Sequence, residues 1–206
     1  MSNEKQKLLG NLSRGLIFVM SAPAGTGKTT LANRLLAEFP LVQRSITFTT
    51  RLRRQDEIDG IDYYFIQETE FLEKEKKGEF LECVELFGAR YGTCRSAIEK
   101  GRKEGFHQLL VIDTQGAAKL MGKLDATFIF IAPPSFSELR ARLEGRSSEK
   151  GEELEVRLSW AKSEIECSKR YDYIVVNDSL DVAYQVLRSI LIAEERRKSN
   201  NIYWRK

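Results

Sequence analysis

The chain has 206 residues, 42% hydrophobic and 31% charged, which places it among soluble globular proteins with length for one full core. A net charge of +3 is too mild to argue for nucleic acid as the partner and suits a protein that handles small polyanions. No apolar run nears the ~20 residues of a membrane span, and Cys83, Cys94 and Cys167 stand apart without metal-site or disulfide spacing, so the expected home is a reducing cytoplasm.

Residues 1–14 are polar and aperiodic and read as a loose N-terminal extension. The apolar run Leu16–Met20 reads as a buried strand. Behind it comes Ala22-Pro23-Ala24-Gly25-Thr26-Gly27-Lys28-Thr29-Thr30, and then the helical pattern Leu31, Leu35, Leu36, Phe39. A strand, a glycine-rich turn, a Lys-Thr pair and a helix start make a phosphate-binding P-loop. Backbone N–H groups at the helix N-terminus face phosphate oxygens, where the helix dipole favours negative charge. Lys28 is expected to reach the β- and γ-phosphates of a nucleotide, and the Thr29 hydroxyl to hold Mg²⁺. Ala22 stands where the pattern usually has its first glycine, a strain if that position needs a positive φ.

Between Ile46 and Tyr91 the pattern changes to a small α+β insertion. Tyr63–Ile66 and Phe80–Phe87 read as strands around a charged helix, Glu68–Lys77. Its opening, Thr47-Phe48-Thr49-Thr50-Arg51-Leu52-Arg53-Arg54, carries arginines suited to gripping a phosphate with parallel hydrogen bonds, although a basic cluster also suits a solvated face. Tyr63 and Tyr91-Gly92-Thr93 add hydroxyl donors. Beyond the insertion, strands at Leu109–Asp113, Thr127–Ala132 and Tyr173–Val176 alternate with helices at Cys94–Glu104, Ser135–Glu144, Glu152–Arg170 and Leu180–Arg197. Such alternation predicts an α/β fold with a mostly parallel sheet covered on both faces. Asp113 ends an apolar strand, where a carboxylate either orients the water shell of a metal or caps the next helix. Gly145–Glu155 is charged and poor in core residues, consistent with a mobile flap or a plain solvated loop.

Several stretches together resemble the guanylate kinase family. They are Ser45-Ile46-Thr47-Phe48-Thr49-Thr50-Arg51-x-x-Arg54-x-x-Glu57-x-x-Gly60-x-Asp62-Tyr63-x-Phe65, then Gly78–Glu82, Tyr91-Gly92-Thr93, Asp113-x-Gln115-Gly116, Ile131–Ser135 and Arg142-Leu143-x-x-Arg146. They lie in family order from about Gly15 to Tyr184. The resemblance implies a three-layer P-loop NTPase fold and Mg²⁺-dependent transfer of a phosphoryl group from ATP to GMP. It implies one domain: a core of residues 15–46, 96–144 and 158–206, a GMP-binding insertion at 47–95 and a lid at 145–157.

By the same resemblance Arg51, Arg54, Tyr63 and Tyr91 would hold the GMP phosphate, and Thr47, Glu82 and Thr93 would read guanine. Arg142, Arg146 and Arg157 would close on the transferring phosphoryl group, and Asn177 would contact adenine. Asp113 would serve the metal with Thr29. Chemistry supports Glu82 independently, because guanine presents two adjacent N–H donors that one carboxylate accepts together and adenine does not. Val111 and Ser147 depart from the family pattern. The expected partners are ATP and GMP, with no nucleic acid and no membrane, in a monomer or homodimer. Three other readings compete: a kinase for another nucleoside monophosphate, a catalytically silent module of this family that binds phosphopeptides, and a basic nucleic-acid-binding domain.

Overall fold

The computed structural model describes residues 7–145 and 152–197. In chain order its elements are β1 (Ile17–Ser21), α1 (Lys28–Glu38), β2 (Val42–Arg44), β3 (Thr47–Thr49), β4 (Tyr63–Phe65), α2 (Glu68–Lys76), β5 (Phe80–Leu86), β6 (Ala89–Cys94) and α3 (Arg95–Lys103). There follow β7 (His107–Val111), α4 (Thr114–Leu120), β8 (Thr127–Ala132), α5 (Phe136–Glu144), α6 (Glu152–Cys167), a 3₁₀ turn at Ser168–Arg170, β9 (Tyr173–Val176) and α7 (Leu180–Glu195).

Five strands form a parallel sheet in the order β2-β7-β1-β8-β9. Side chains alternate across a strand, so β1 feeds two cores. Phe18 and Met20 pack with Leu31 and Leu35 of α1 and Leu187 and Leu191 of α7. Ile17 and Val19 pack on the other face with Ile98 of α3 and Ala117 and Leu120 of α4. The result is the expected helix–sheet–helix sandwich. Because β1 and β7 are neighbours, the loops after them leave the same edge side by side, the place where open α/β sheets bind ligands.

The insertion is a second sheet, ordered β4-β3-β6-β5, parallel at β3–β4 and antiparallel elsewhere. Its outer face is an aromatic cluster: Phe71 of α2 lies 4.7 Å from Phe80, and Phe48 lies 5.7 Å from Phe80. The β5–β6 register shifts between Phe80 and Glu82, from Phe80↔Cys94 to Glu82↔Thr93. A bulge of this kind re-aims the side chains that follow it. Phe80 packs on the Phe48 and Phe71 side while Glu82 sits beside Thr93 on the opposite face.

One expectation needs correction. Residues 7–14 are docked and not loose. Leu9 is buried in the main core, and the backbone N–H groups of Gly10 and Asn11 donate to the Glu195 carboxylate, the latter over 3.0 Å. Glu195 also pairs with buried His107 at 2.7 Å. Residues 152–157, within the stretch read as a lid, begin α6 in keeping with the helix expected over Glu152–Arg170, and Leu154 and Leu158 form a small core with Leu139 and Leu143 of α5. Residues 146–151 lie outside the described part. β2, β3, β6 and α4 are short elements that the sequence pattern did not announce.

Candidate active site

The P-loop joins β1 to α1 as predicted. Gly25 and Gly27 take φ of 84° and 86°, the left-handed region that side chains resist. Ala22 is buried in the core and does not adopt positive φ, so alanine costs the loop nothing there. The Thr26 hydroxyl donates to the Pro23 carbonyl at 2.8 Å and pins the turn. Asn177, after β9, donates from Nδ2 to the Thr26 carbonyl at 2.7 Å. A Cβ on Gly27 would fall 2.5 Å from that Nδ2, so the glycine serves both the conformation and the brace.

A cavity of about 580 Å³ opens in front of this loop. Its walls are the loop from Ala22 to Thr30, Asp113 to Gln115, Arg54 from the insertion, Leu86 and Phe87 from the β5–β6 turn, and Arg157, Trp160, Ser163, Glu164 and Cys167 from α6. Lys28 Nζ donates to the Ile112 carbonyl at 3.1 Å. Burial draws the Lys28 pKa below its ordinary value, against the opposing charges of Asp113 and Glu164. Asp113 caps α4, its Oδ1 accepting from the backbone N–H groups of Gln115 at 2.7 Å and Gly116 at 3.1 Å. Capping and a place on the cavity wall coexist. Burial also pushes the Glu164 carboxyl up to about 7, with nearby Lys28 and the Thr114 hydroxyl pulling the other way.

The insertion gathers the second set. Thr47, Thr93 and Glu82 stand in register across β3, β6 and β5. Glu82 is 5% exposed. Its Oε1 accepts from the Thr93 hydroxyl at 2.6 Å, and its Oε2 is buried without a hydrogen-bond partner among the described residues. Burial pushes this carboxyl up to about 7, with Asp113 adding to the push and Thr93 opposing it. Gly116 on α4 abuts it, and a Cβ there would lie 2.9 Å from Oε2. Nearby, Arg51 pairs with Glu57 at 2.6 Å and lies 5.4 Å from the Tyr63 ring, which sits 6.1 Å from that of Tyr91. Burial lifts the Glu57 pKa, but Arg51 and the Arg54 N–H more than offset it and leave it below the ordinary value.

Among known families, the guanylate kinase model matches residues 14–194. The chain belongs to the guanylate kinase family. It is 52% identical over 193 residues to the guanylate kinase of Protochlamydia amoebophila, covering 94% of this chain and 98% of that one. It is 45% identical over 182 residues to that of Chlamydia felis, covering 88% and 89%. The crystal structure of guanylate kinase from Anaplasma phagocytophilum superposes with a TM-score of 0.78 at 36% identity, covering 94% and 93%. The resemblance read from the sequence is borne out, and with it the fold.

The structure brings Lys28, Thr29, Thr30, Arg54, Asp113 and Arg157 to one cavity, and Thr47, Glu82, Thr93, Arg51, Tyr63 and Tyr91 to one face of the adjoining sheet. Arg142 stands outside the cavity wall, its guanidinium holding Glu138 at 2.9 Å and the Asn177 carbonyl at 3.0 Å. Asn177 works here as a brace for the P-loop. Arg146 and Ser147 lie outside the described residues. Val111 is partly buried against the core. Sequence reasoning passed over Gly116, Glu57 and Glu164. The first two stand in the quoted motifs, but only tertiary contacts reveal what they touch.

Proposed function

We propose that the cavity and the face beside it bind ATP and GMP and catalyse ATP + GMP → ADP + GDP. One observation carries this reading: Glu82 Oε2 is a buried, unpartnered acceptor beside α4, whose capping residue Asp113 lines the Lys28 cavity. An unsatisfied buried carboxylate oxygen is costly. Guanine's N1–H and 2-amino group supply the donors it lacks, and the Thr47 hydroxyl supplies a donor for O6. Adenine would leave the carboxylate unpaired.

On this reading Arg51, Arg54, Tyr63 and Tyr91 hold the GMP phosphate, with Glu57 keeping the Arg51 guanidinium oriented. A GMP phosphate oxygen attacks the ATP γ-phosphorus as the bond to the β–γ bridging oxygen breaks. That nucleophile is already ionised, so no protein base is required, and catalysis is positioning and charge neutralisation. Lys28 and Arg157 supply positive charge where it builds on the transferring group, the part the family resemblance also gives to Arg142 and Arg146. Thr29 and Asp113 are hard oxygen donors and fit Mg²⁺ bound partly through water, which would neutralise the β- and γ-oxygens.

The intact P-loop, with Lys28 at the cavity, disfavours a silent phosphopeptide-binding module. Every group invoked belongs to one chain, so a monomer or each half of a homodimer has a full site. The spaced cysteines support a reducing cytoplasm. The test is a coupled assay offering GMP, AMP, UMP and dTMP with Mg·ATP. GMP should exceed the others by at least 100-fold. Comparable turnover of AMP would refute the assignment.

A further inference from the structure

The β5–β6 hairpin turns on two residues, Phe87 and Gly88, because Leu86 pairs with Ala89. Their φ angles are 52° and 75°. Two consecutive positive φ values define the mirror-image turn that asparagine, aspartate or glycine ordinarily opens. Phenylalanine is strained there, and such strain persists when the surroundings make use of it. Phe87 is also 67% exposed, an expensive place for a large apolar ring.

Its ring faces α6. The Phe87 and Trp160 centroids lie 4.8 Å apart at an interplanar angle of 31°. Arg157, one turn earlier on the same helix face, places its guanidinium 5.8 Å from the Phe87 ring. All three side chains line the nucleotide cavity. The hairpin belongs to the insertion with its aromatic cluster, and α6 belongs to the α5–α6 pair with its separate core. The aromatic stack therefore bridges the insertion and the α5–α6 pair, which share no hydrophobic cluster among the described residues. Glu82 and Phe87 ride on the same hairpin.

We infer that Phe87 and Trp160 are positioning residues: stacked across the cleft, they fasten the guanine-reading hairpin to α6 and set Arg157 over the transferring phosphate. Acceptor binding and donor-side charge neutralisation are thereby coupled. The inference rests on the reading of Arg157 as a phosphate-neutralising arginine, so that residue is tested alongside.

Phe87→Asn gives the turn a residue that favours positive φ and removes the ring. The expected result is an unchanged or raised melting temperature with kcat lowered about tenfold, an effect of the size an aromatic pair supports. The KM for ATP should stay within about twofold. Trp160→Ala should lower kcat equally, Trp160→Phe should restore most of it, and the double variant should be no worse than either single one. With Trp204 replaced by Phe, GMP should change the Trp160 fluorescence, and Phe87→Asn should abolish that change. If Arg157→Ala is impaired while Phe87→Asn and Trp160→Ala keep full kcat, or if their losses simply add, the latch is wrong. If Arg157→Ala itself keeps full kcat, the reading of that arginine falls, and the latch with it.

Discussion

Glu82→Gln tests base recognition and its cost to the fold in one variant. On the proposed reading the carboxylate offers acceptors to both guanine donors, whereas an amide would meet one donor with another. Hydrogen bonds to charged groups contribute about 1.5–3 kcal/mol each. Losing their sum in part, about 3–4 kcal/mol, lowers kcat/KM for GMP by roughly 100- to 1,000-fold. The KM for ATP should hold within about twofold, because the donor cavity is lined by other residues. Stability should move the other way. Burial raises the Glu82 carboxyl from 4.5 to about 7 in the fold. Below pH 4.5 it is protonated in both folded and unfolded chains, so it costs nothing. Between about 4.5 and 7 the unfolded chain releases the proton first, and the folded state loses stability as pH rises. Above 7 the full penalty is present, about 3 kcal/mol at 1.36 kcal/mol per unit. Glutamine does not titrate, so its own burial cost is the same at every pH. Denaturant melts of both proteins from pH 4.5 to 8 should diverge by about that amount in favour of the variant. Parallel curves, or equal loss of GMP and ATP affinity, would refute the assignment.

Several further outcomes follow from the same geometry. In the unsubstituted protein the KM for GMP should rise as pH falls below about 7, approaching tenfold per unit, because only the ionised Glu82 accepts both guanine donors; a flat profile in steady-state assays would contradict this. Gly116→Ala suits a helix by about 1 kcal/mol yet pushes a Cβ to 2.9 Å from Glu82 Oε2, so the KM for GMP should rise about 10- to 100-fold without loss of melting temperature. Lys28→Ala should cut transfer by at least about 1,000-fold while circular dichroism stays native, since the lysine is a cavity group and not a core one. Glu195 is held down to about 2 by His107, Asn11 and Gly10 against the opposing effect of burial. Its contribution, about 3 kcal/mol, is therefore present above pH 4.5 and lost as pH falls toward 2; acid titration of Glu195→Gln should lack that limb.

Read alone, the sequence determined everything that short-range chemistry encodes. Gly25, Gly27 and Lys28 stand at the spacing of a phosphate loop, and the helix read from Ser135 does begin there, with the Ser135 hydroxyl accepting from Glu138 N–H at 3.1 Å. Strand–helix alternation announced the parallel sheet, and the motif order announced the family. Short elements such as β3 and α4 escaped, because three to seven residues are too few to show a period. Tertiary structure alone decided the rest. The bulge after Phe80 turns Glu82 toward the site, Gly116 leaves room for its free oxygen, Phe87 reaches Trp160, and Leu9 with Gly10 and Asn11 ties the N-terminal segment to α7. The bulge acts within one hairpin, and the other contacts join segments far apart in the chain. Local propensity records what a residue prefers among its neighbours, and burial, pairing and charge are settled only when distant segments pack together.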